Sequence, residues 1–589
     1  MRAGIAYRVE VADANAHRFR VTLRVERPAA EQRVSLPVWI PGSYLVREFA
    51  RHLSGLEAHQ EGRAIDLRQL DKASWLAPCR GSAALTVSYF VHAFDVSVRS
   101  AYLDARRGFF NGTSVCLRVH GREDEPHALA LAGLPAGWDV ATAMPAGAQR
   151  SEFVAADYDE LVDHPFELGR FWRGRFEAGG VAHEFVVAGA LPGFDHARLL
   201  ADTQRICATQ IAFWHGAGAA RAELPFARYV FLLDAVDDGY GGLEHRASTA
   251  LIANRRDLPN AAAAGGEASD GYVKLLGLVS HEYFHAWNVK RLRPAEFARL
   301  DYAQENYTRL LWFFEGFTSY YDDLMLRRAG LIDAPRYLKL VATTASGVLG
   351  TPGRKVQSLA QASFDAWVKY YRPDENTPNA TVSYYTLGSL VALALDLELR
   401  SAGKGRASLD AVMRRLWQAS GGGPVSEDDI VAAVAATAGR ARGAALGARL
   451  RAWVHGTDDI ALPDALARFG VRWREQAPTL AQRWGLRVAE SALTGVRVTH
   501  VLRGGAAEAA GLAAGDELLG VEGWRLRRLD DAAPLLPAKG SARLLASRDQ
   551  RLLELSIATP STAAGAVQLA LDEGASAASR ALRKAWLHA

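Results

Sequence analysis

Residues 6–26, AYRVEVADANAHRFRVTLRVE, alternate apolar and polar positions on both sides of a polar ADANAH stretch. Period two puts the apolar side chains on one face, so the pattern predicts a hairpin with one buried face. The next segment, SLPVWIPGSYLVREFARHL, is broken by Pro41-Gly42, and short strands are expected at ALTVSYFVHAF and GTSVCLRVHG. Residues 1–170 therefore read as a β-rich N-terminal domain. From 171 the pattern changes. HEFVVAGAL and RYVFLLDAV read as buried strands, and ARLLADTQRICATQIAFW between them has helical period. NAAAAGGEASDG reads as a flexible loop before a helix that begins near 270. A second long helix is expected over 306–330, ending at Gly330.

Residues 331–470 read as mostly helical, with Ser426 and Asp429 forming a capping-box-like start. Strands and glycine turns return over 475–560, and 561–589 forms a C-terminal tail. The fold class is α+β, multidomain. At 589 residues the chain needs three or four cores. Its 49% hydrophobic and 23% charged composition is that of a folded, soluble protein. A net charge of +4 with no concentrated basic stripe argues against nucleic acid as a partner. The N-terminus MRAGIAYRVEV has no apolar signal region, and the apolar run LGSLVALALDLEL is short and carries Asp396. A cytoplasmic protein with no membrane partner is the expectation. Cys79, Cys116 and Cys207 are too scattered for a disulfide framework, and the sequons at Asn111, Asn306 and Asn379 read as chance.

Candidate chemistry begins at HEYFHAWNVK, residues 281–290. His281 and His285 lie four apart, on one face of a helix, with Glu282 beside them. In H-E-x-x-H both imidazoles bind Zn²⁺ and the glutamate handles protons. A catalytic zinc needs a third protein ligand and an open position. The candidate is Glu315 in WFFEGFTSYY, a carboxylate among aromatic residues, where a charge is costly unless paired or metal-bound. In DDGYGGLEHRAS, Gly241 and Gly242 offer backbone to an extended peptide and Glu244 can hold a positive charge. Tyr240 beside them fits a shallow pocket or a solvent-facing ring. In TVSYYTLGSL, Tyr384 or Tyr385 can donate to an oxyanion.

Together HEYFH, FEGFTSYY, YGGLEH and YYTLG resemble the glycyl aminopeptidase family of gluzincin metallopeptidases, relatives of aminopeptidase N and leukotriene A hydrolase. VWIPGSYLVREFARHL and the extension HEYFHAWNVKRLRP resemble the glycyl aminopeptidase branch in particular. The resemblance implies a thermolysin-like catalytic domain over 171–330, and a helical region over 331–470 that completes the cleft. It implies zinc on His281, His285 and Glu315, with Glu282 as general base. Glu244 would bind the substrate's α-amine and Tyr385 would stabilise the tetrahedral intermediate. The chain departs from the wider superfamily at His245, where that pattern has Asn, and at Leu387, where it has Lys.

Residues 475–560 resemble a bacterial-type PDZ domain, with RWGLRVAE as the carboxylate-binding loop for a C-terminal peptide. The implied function is a zinc aminopeptidase that acts on peptides with a free N-terminus and prefers glycine or alanine. The alternatives are a PDZ-containing peptide-binding scaffold with an inactive zincin domain, which an intact ligand and base set opposes, and a zinc endopeptidase, which Glu244 opposes.

Overall fold

The structure, a computed structural model, describes residues 4–149, 151–216, 218, 221–261, 266–559 and 563–588. The chain divides into two compact units, 1–306 with 420–424 and 307–419 with 425–589. Part of the loop expected over 260–271, residues 262–265, lies outside the described residues.

In the first unit the expected hairpin forms. Strands Ile5–Asp13 and Arg18–Val25 pair antiparallel, with Ile5 opposite Val25 and Val9 opposite Val21. Ile5, Tyr7, Val9, Phe19, Val21, Leu23 and Val25 are all buried. At roughly 2 kcal/mol per buried side chain, this face fixes the register, since a one-residue slip would expose every member. The hairpin lies inside a seven-stranded sheet. One expectation fails here. GTSVCLRVHG holds a helical turn, Gly112–Val115, followed by the short strand Arg118–Val119. The cause is packing, because a Cβ on Gly112 would stand 2.8 Å from Val162 Cα. No side chain in the decapeptide signals that contact.

A five-stranded sheet follows in the same unit. Its order is Trp172–Ala178, Val181–Ala188, Arg228–Val236, Ser248–Asn254, Tyr240–Glu244. The central three run parallel and are buried along most of their length, as strands covered on both faces are. Tyr240–Glu244 pairs antiparallel with Ser248–Asn254 and is an edge strand. Helix Asp270–Phe284 packs on these last two strands. Ser269 caps it, accepting from Tyr272 N at 3.1 Å, and Leu275, Leu276, Leu278 and Val279 are buried.

In the second unit, helices Leu311–Arg328 and Thr386–Ala402 cross where two glycines meet. A Cβ on Gly316 would stand 2.6 Å from Gly388 Cα, so the backbones approach closely. Asp396, the charge inside the apolar run, is fully buried and satisfied. It accepts from Tyr320 Oη at 2.7 Å, Arg400 Nε at 2.9 Å and Leu409 N at 2.7 Å. The strands between Leu486 and Ala558 form one antiparallel sheet with Leu486–Ser491 at its edge. Asn379 clasps its loop, donating to Val501 O at 2.8 Å and accepting from Arg503 N at 2.9 Å. The C-terminal segment is structured. Val567–Leu571 pairs with Val471–Glu475, and helix Ala577–Leu587 buries Trp586. No helix among the described residues is long and apolar enough to cross a membrane.

Candidate active site

Helix Asp270–Phe284 presents His281 and Glu282 in its last turn, and His285 is its C-cap. The two imidazoles face each other, Nε2 to Nε2, at 3.0 Å. Two nitrogens at about 2.05 Å from a tetrahedral ion stand roughly 3.3 Å apart, so the pair is spaced for one. His285 Nδ1 lies 2.7 Å from the Asn288 carbonyl oxygen, which accepts its proton. That bond leaves the Nε2 lone pair toward its partner histidine, as a metal ligand requires.

Glu282 and Glu244 are 5% and 4% exposed. Their carboxylate oxygens and a His285 ring nitrogen all lie within 4.8 Å of one another. Two glycines make this convergence possible. A Cβ on Gly242 would stand 2.1 Å from Glu282 Oε1, so the edge strand rests directly on the carboxylate. Gly42 has φ +93°, and a Cβ there would stand 2.5 Å from Glu244 Oε1. The Pro41-Gly42 break thus brings the N-terminal strands' long loop onto Glu244. Trp39, Gly42, Tyr44, Glu244 and Lys290 line one cavity there. Tyr240 is 50% exposed at the far end of the strand and does not wall that cavity.

His245 replaces the expected Asn for a structural reason. It is buried, with Nδ1 3.5 Å from Asp163 Oδ1, and Lys290 Nζ stands 2.6 Å from the same oxygen. Arg246 N donates to Asp163 Oδ2 at 2.8 Å. Burial pushes the Asp163 carboxyl up, but the Lys290 ammonium and the His245 hydrogen bond outweigh it and hold it well below the usual carboxylate range. Burial pushes His245 down, so its ring is neutral at pH 7. Sequence reasoning missed Asp163, Lys290 and Gly42. The Pro-Gly pair in VWIPGSY was the one local signal, because it demands a turn without naming what the turn meets.

The second unit carries the other two residues. Glu315, on Leu311–Arg328, is 2% exposed between buried Trp312, Phe313, Phe314 and Phe317. Tyr385 is the N-cap residue of Thr386–Ala402 and stacks with Tyr370 and Tyr384. Tyr384 is fully buried, whereas Tyr385 is half-buried. Burial, and after it the Glu315 carboxylate, push the Tyr385 phenol well above its ordinary range. It is therefore a hydrogen-bond donor at neutral pH.

Comparison with known proteins places these residues in context. Residues 6–170 match the Peptidase M61 N-terminal domain, 274–391 the M61 glycyl aminopeptidase and 473–542 the PDZ domain. An aminopeptidase N family protein from Idiomarina loihiensis is 36% identical, with TM-score 0.92 over 99% of this chain and 100% of that one. An M1 zinc metallopeptidase from Deinococcus radiodurans is 16% identical, with TM-score 0.46 over 79% of this chain and 96% of that one. Legionella pneumophila aminopeptidase A is 11% identical, with TM-score 0.46 over 96% of this chain and 58% of that one. Among curated proteins there is no match.

Proposed function

Because this chain belongs to the M61 glycyl aminopeptidase family and is a peptidase, we propose that it is a zinc aminopeptidase removing single small residues from free N-termini. The observation that carries this reading is the buried Glu244 carboxylate, which converges with Glu282 and His285 within 4.8 Å. A substrate ammonium answers that charge. An acylated amine carries no charge to pair with it, and losing a buried carboxylate–ammonium pair costs several kcal/mol. An endopeptidase must admit continuing chain at this point, and a carboxylate there opposes it.

Zinc would be held by His281, His285 and Glu315. A cation suits a carboxylate buried among aromatic rings, as Glu315 is. When bound, the metal supplies Lewis-acid activation of the attacking water and the scissile carbonyl. The remaining steps belong to the protein. Glu282 accepts the proton of the attacking water and passes it to the departing amine. The Tyr385 hydroxyl donates to the oxyanion, a role that its half-buried position suits better than that of Tyr384. Glu244 fixes the ammonium. Gly241 and Gly242 offer edge-strand backbone to the peptide.

The preference for glycine and alanine rests on family membership and on the loop at Gly42, which crowds the space beside Glu244. In the second unit, the edge strand Leu486–Ser491 is the place for a C-terminal peptide ligand, with the turn at Gly485 taking the carboxylate. The test of the main reading is a panel of free and N-acetylated aminoacyl p-nitroanilides, with and without chelator. Chelator-sensitive cleavage of free glycyl and alanyl substrates supports it. Cleavage that is indifferent to chelator defeats the metal assignment, and fastest cleavage of leucyl substrates defeats the specificity.

A further inference from the structure

Strand Tyr240–Glu244 runs from a half-exposed rim to a buried end, with the Glu282 carboxylate against Gly242 midway. Two cations stand along its outer half. Arg99, from the N-terminal domain, donates from Nη2 to Gly242 O at 3.0 Å. Its guanidinium lies 3.6 Å from where a Gly241 Cβ would be. Lys274, one turn into the histidine helix, holds its ammonium 4.0 Å from the centre of the Tyr240 ring. Among the described residues neither cation is ion-paired with a carboxylate. Arg99 Nε is buried with no hydrogen-bond partner.

We propose that Arg99 and Lys274 form an exit subsite that binds the substrate's terminal carboxylate, which makes free dipeptides and tripeptides the preferred substrate class. This rests on the aminopeptidase reading, with the ammonium at Glu244 and the reacting carbonyl over Glu282. A peptide extended from Glu244 antiparallel to the edge strand advances about 3.3 Å per residue. The Glu244 side chain reaches forward along the strand, its carboxylate within 4.8 Å of that of Glu282, so the carbonyl of the first residue lies level with Gly242 and Glu282. One step further is level with Gly241 and Arg99, where a dipeptide ends. A second step reaches Tyr240 and Lys274, where a tripeptide ends. Arg99 offers a planar, permanently charged fork to a carboxylate, and Lys274 a mobile point charge at the rim. Longer peptides run past both cations and gain neither contact.

The test compares kcat/KM for Gly-Ala and Gly-Ala-Ala, each as free acid and as C-terminal amide. The enzymes are wild type, Arg99→Leu, Arg99→Lys and Lys274→Ala. Wild type is expected to favour both acids over their amides by about tenfold, the scale of one partly solvated charge-assisted hydrogen bond. Arg99→Leu should bring the dipeptide ratio to about one, Arg99→Lys should keep part of it, and Lys274→Ala should lower the tripeptide ratio alone. Equal wild-type rates for acid and amide overturn the proposal, and that result needs no variant to fold. So does an Arg99→Leu enzyme that loses acid and amide equally, since Arg99 then only supports the strand. Brisk amide hydrolysis without an acid preference leaves the aminopeptidase reading standing. Failure to cleave any of the four peptides defeats both.

Discussion

Replacing Gly242 with alanine tests whether the edge strand and the general base form one device. The new methyl would stand 2.1 Å from Glu282 Oε1, 2.4 Å from Cδ and 2.5 Å from Cγ. Ordinary contact between such atoms is about 3.5 Å, so something must move by more than 1 Å. Two responses are open. The strand can retreat, which strains its pairing with Leu251 and the Arg99 hydrogen bond. Alternatively, the Glu282 side chain can swing away, since the obstacle is the end of a side chain. Overpacking costs roughly 1–3 kcal/mol, and a movable carboxylate keeps the stability loss at the low end. Catalysis bears the larger loss, because a base displaced by about 1 Å costs on the order of 100-fold in rate. Gly242→Ala should therefore bind zinc and melt within a few degrees of wild type, while kcat falls about 100-fold or more. Wild-type kcat in a folded Gly242→Ala protein would refute the placement of Glu282 against this strand.

Glu282→Ala should retain metal and lose activity, because the base is not a ligand, whereas Glu315→Ala should lower zinc affinity; metal analysis and activity on the same samples separate the two. Tyr385→Phe should lower kcat by about 10²–10³ with little change in KM, and an equal loss in Tyr384→Phe would argue that the effect is packing. Asp163→Asn leaves Lys290 buried without its carboxylate and should destabilise the protein by roughly 3–5 kcal/mol in urea melts. The Asp163 carboxyl is held well below its ordinary value in the folded state. Its contribution is therefore present above the unfolded carboxylate range near 3.9 and lost as pH falls through the folded value. That part of the acid limb should be missing in Asp163→Asn. Peptides ending in a free carboxylate should bind residues 475–560 better than amidated ones; equal binding would mean the edge strand there is only structural.

Much of the proposed site was legible because its chemistry is local. His281, Glu282 and His285 sit within one helical turn and a half, so spacing alone places them on one face. The hairpin over residues 5–25 was equally plain, since alternation is its own instruction. Glu315 stood out as a charge in an aromatic run. Contacts of long sequence separation stayed hidden. Gly42 meets Glu244 across two hundred residues, Asp163 meets Lys290, and Arg99 meets Gly242. Nothing in an isolated arginine or aspartate says which distant carbonyl or ammonium it will meet. The misread turn at Gly112–Val115 has the same origin, a tertiary contact overriding local preference. The resemblance points to Tyr385, and the exposure that favours it over Tyr384 as the proposed donor is something neighbouring tyrosines do not disclose.

The central claim is that Glu244 makes this enzyme read a free α-amine. The direct measurement is kcat/KM for glycyl and N-acetyl-glycyl p-nitroanilide on zinc-loaded wild type and Glu244→Ala. Losing a buried carboxylate–ammonium pair costs about 3 kcal/mol or more, so wild type should favour the free amine by at least 100-fold. Glu244→Ala should lose most of that preference by slowing on the free substrate. Wild type cleaving the acetylated substrate as fast as the free one would contradict the account.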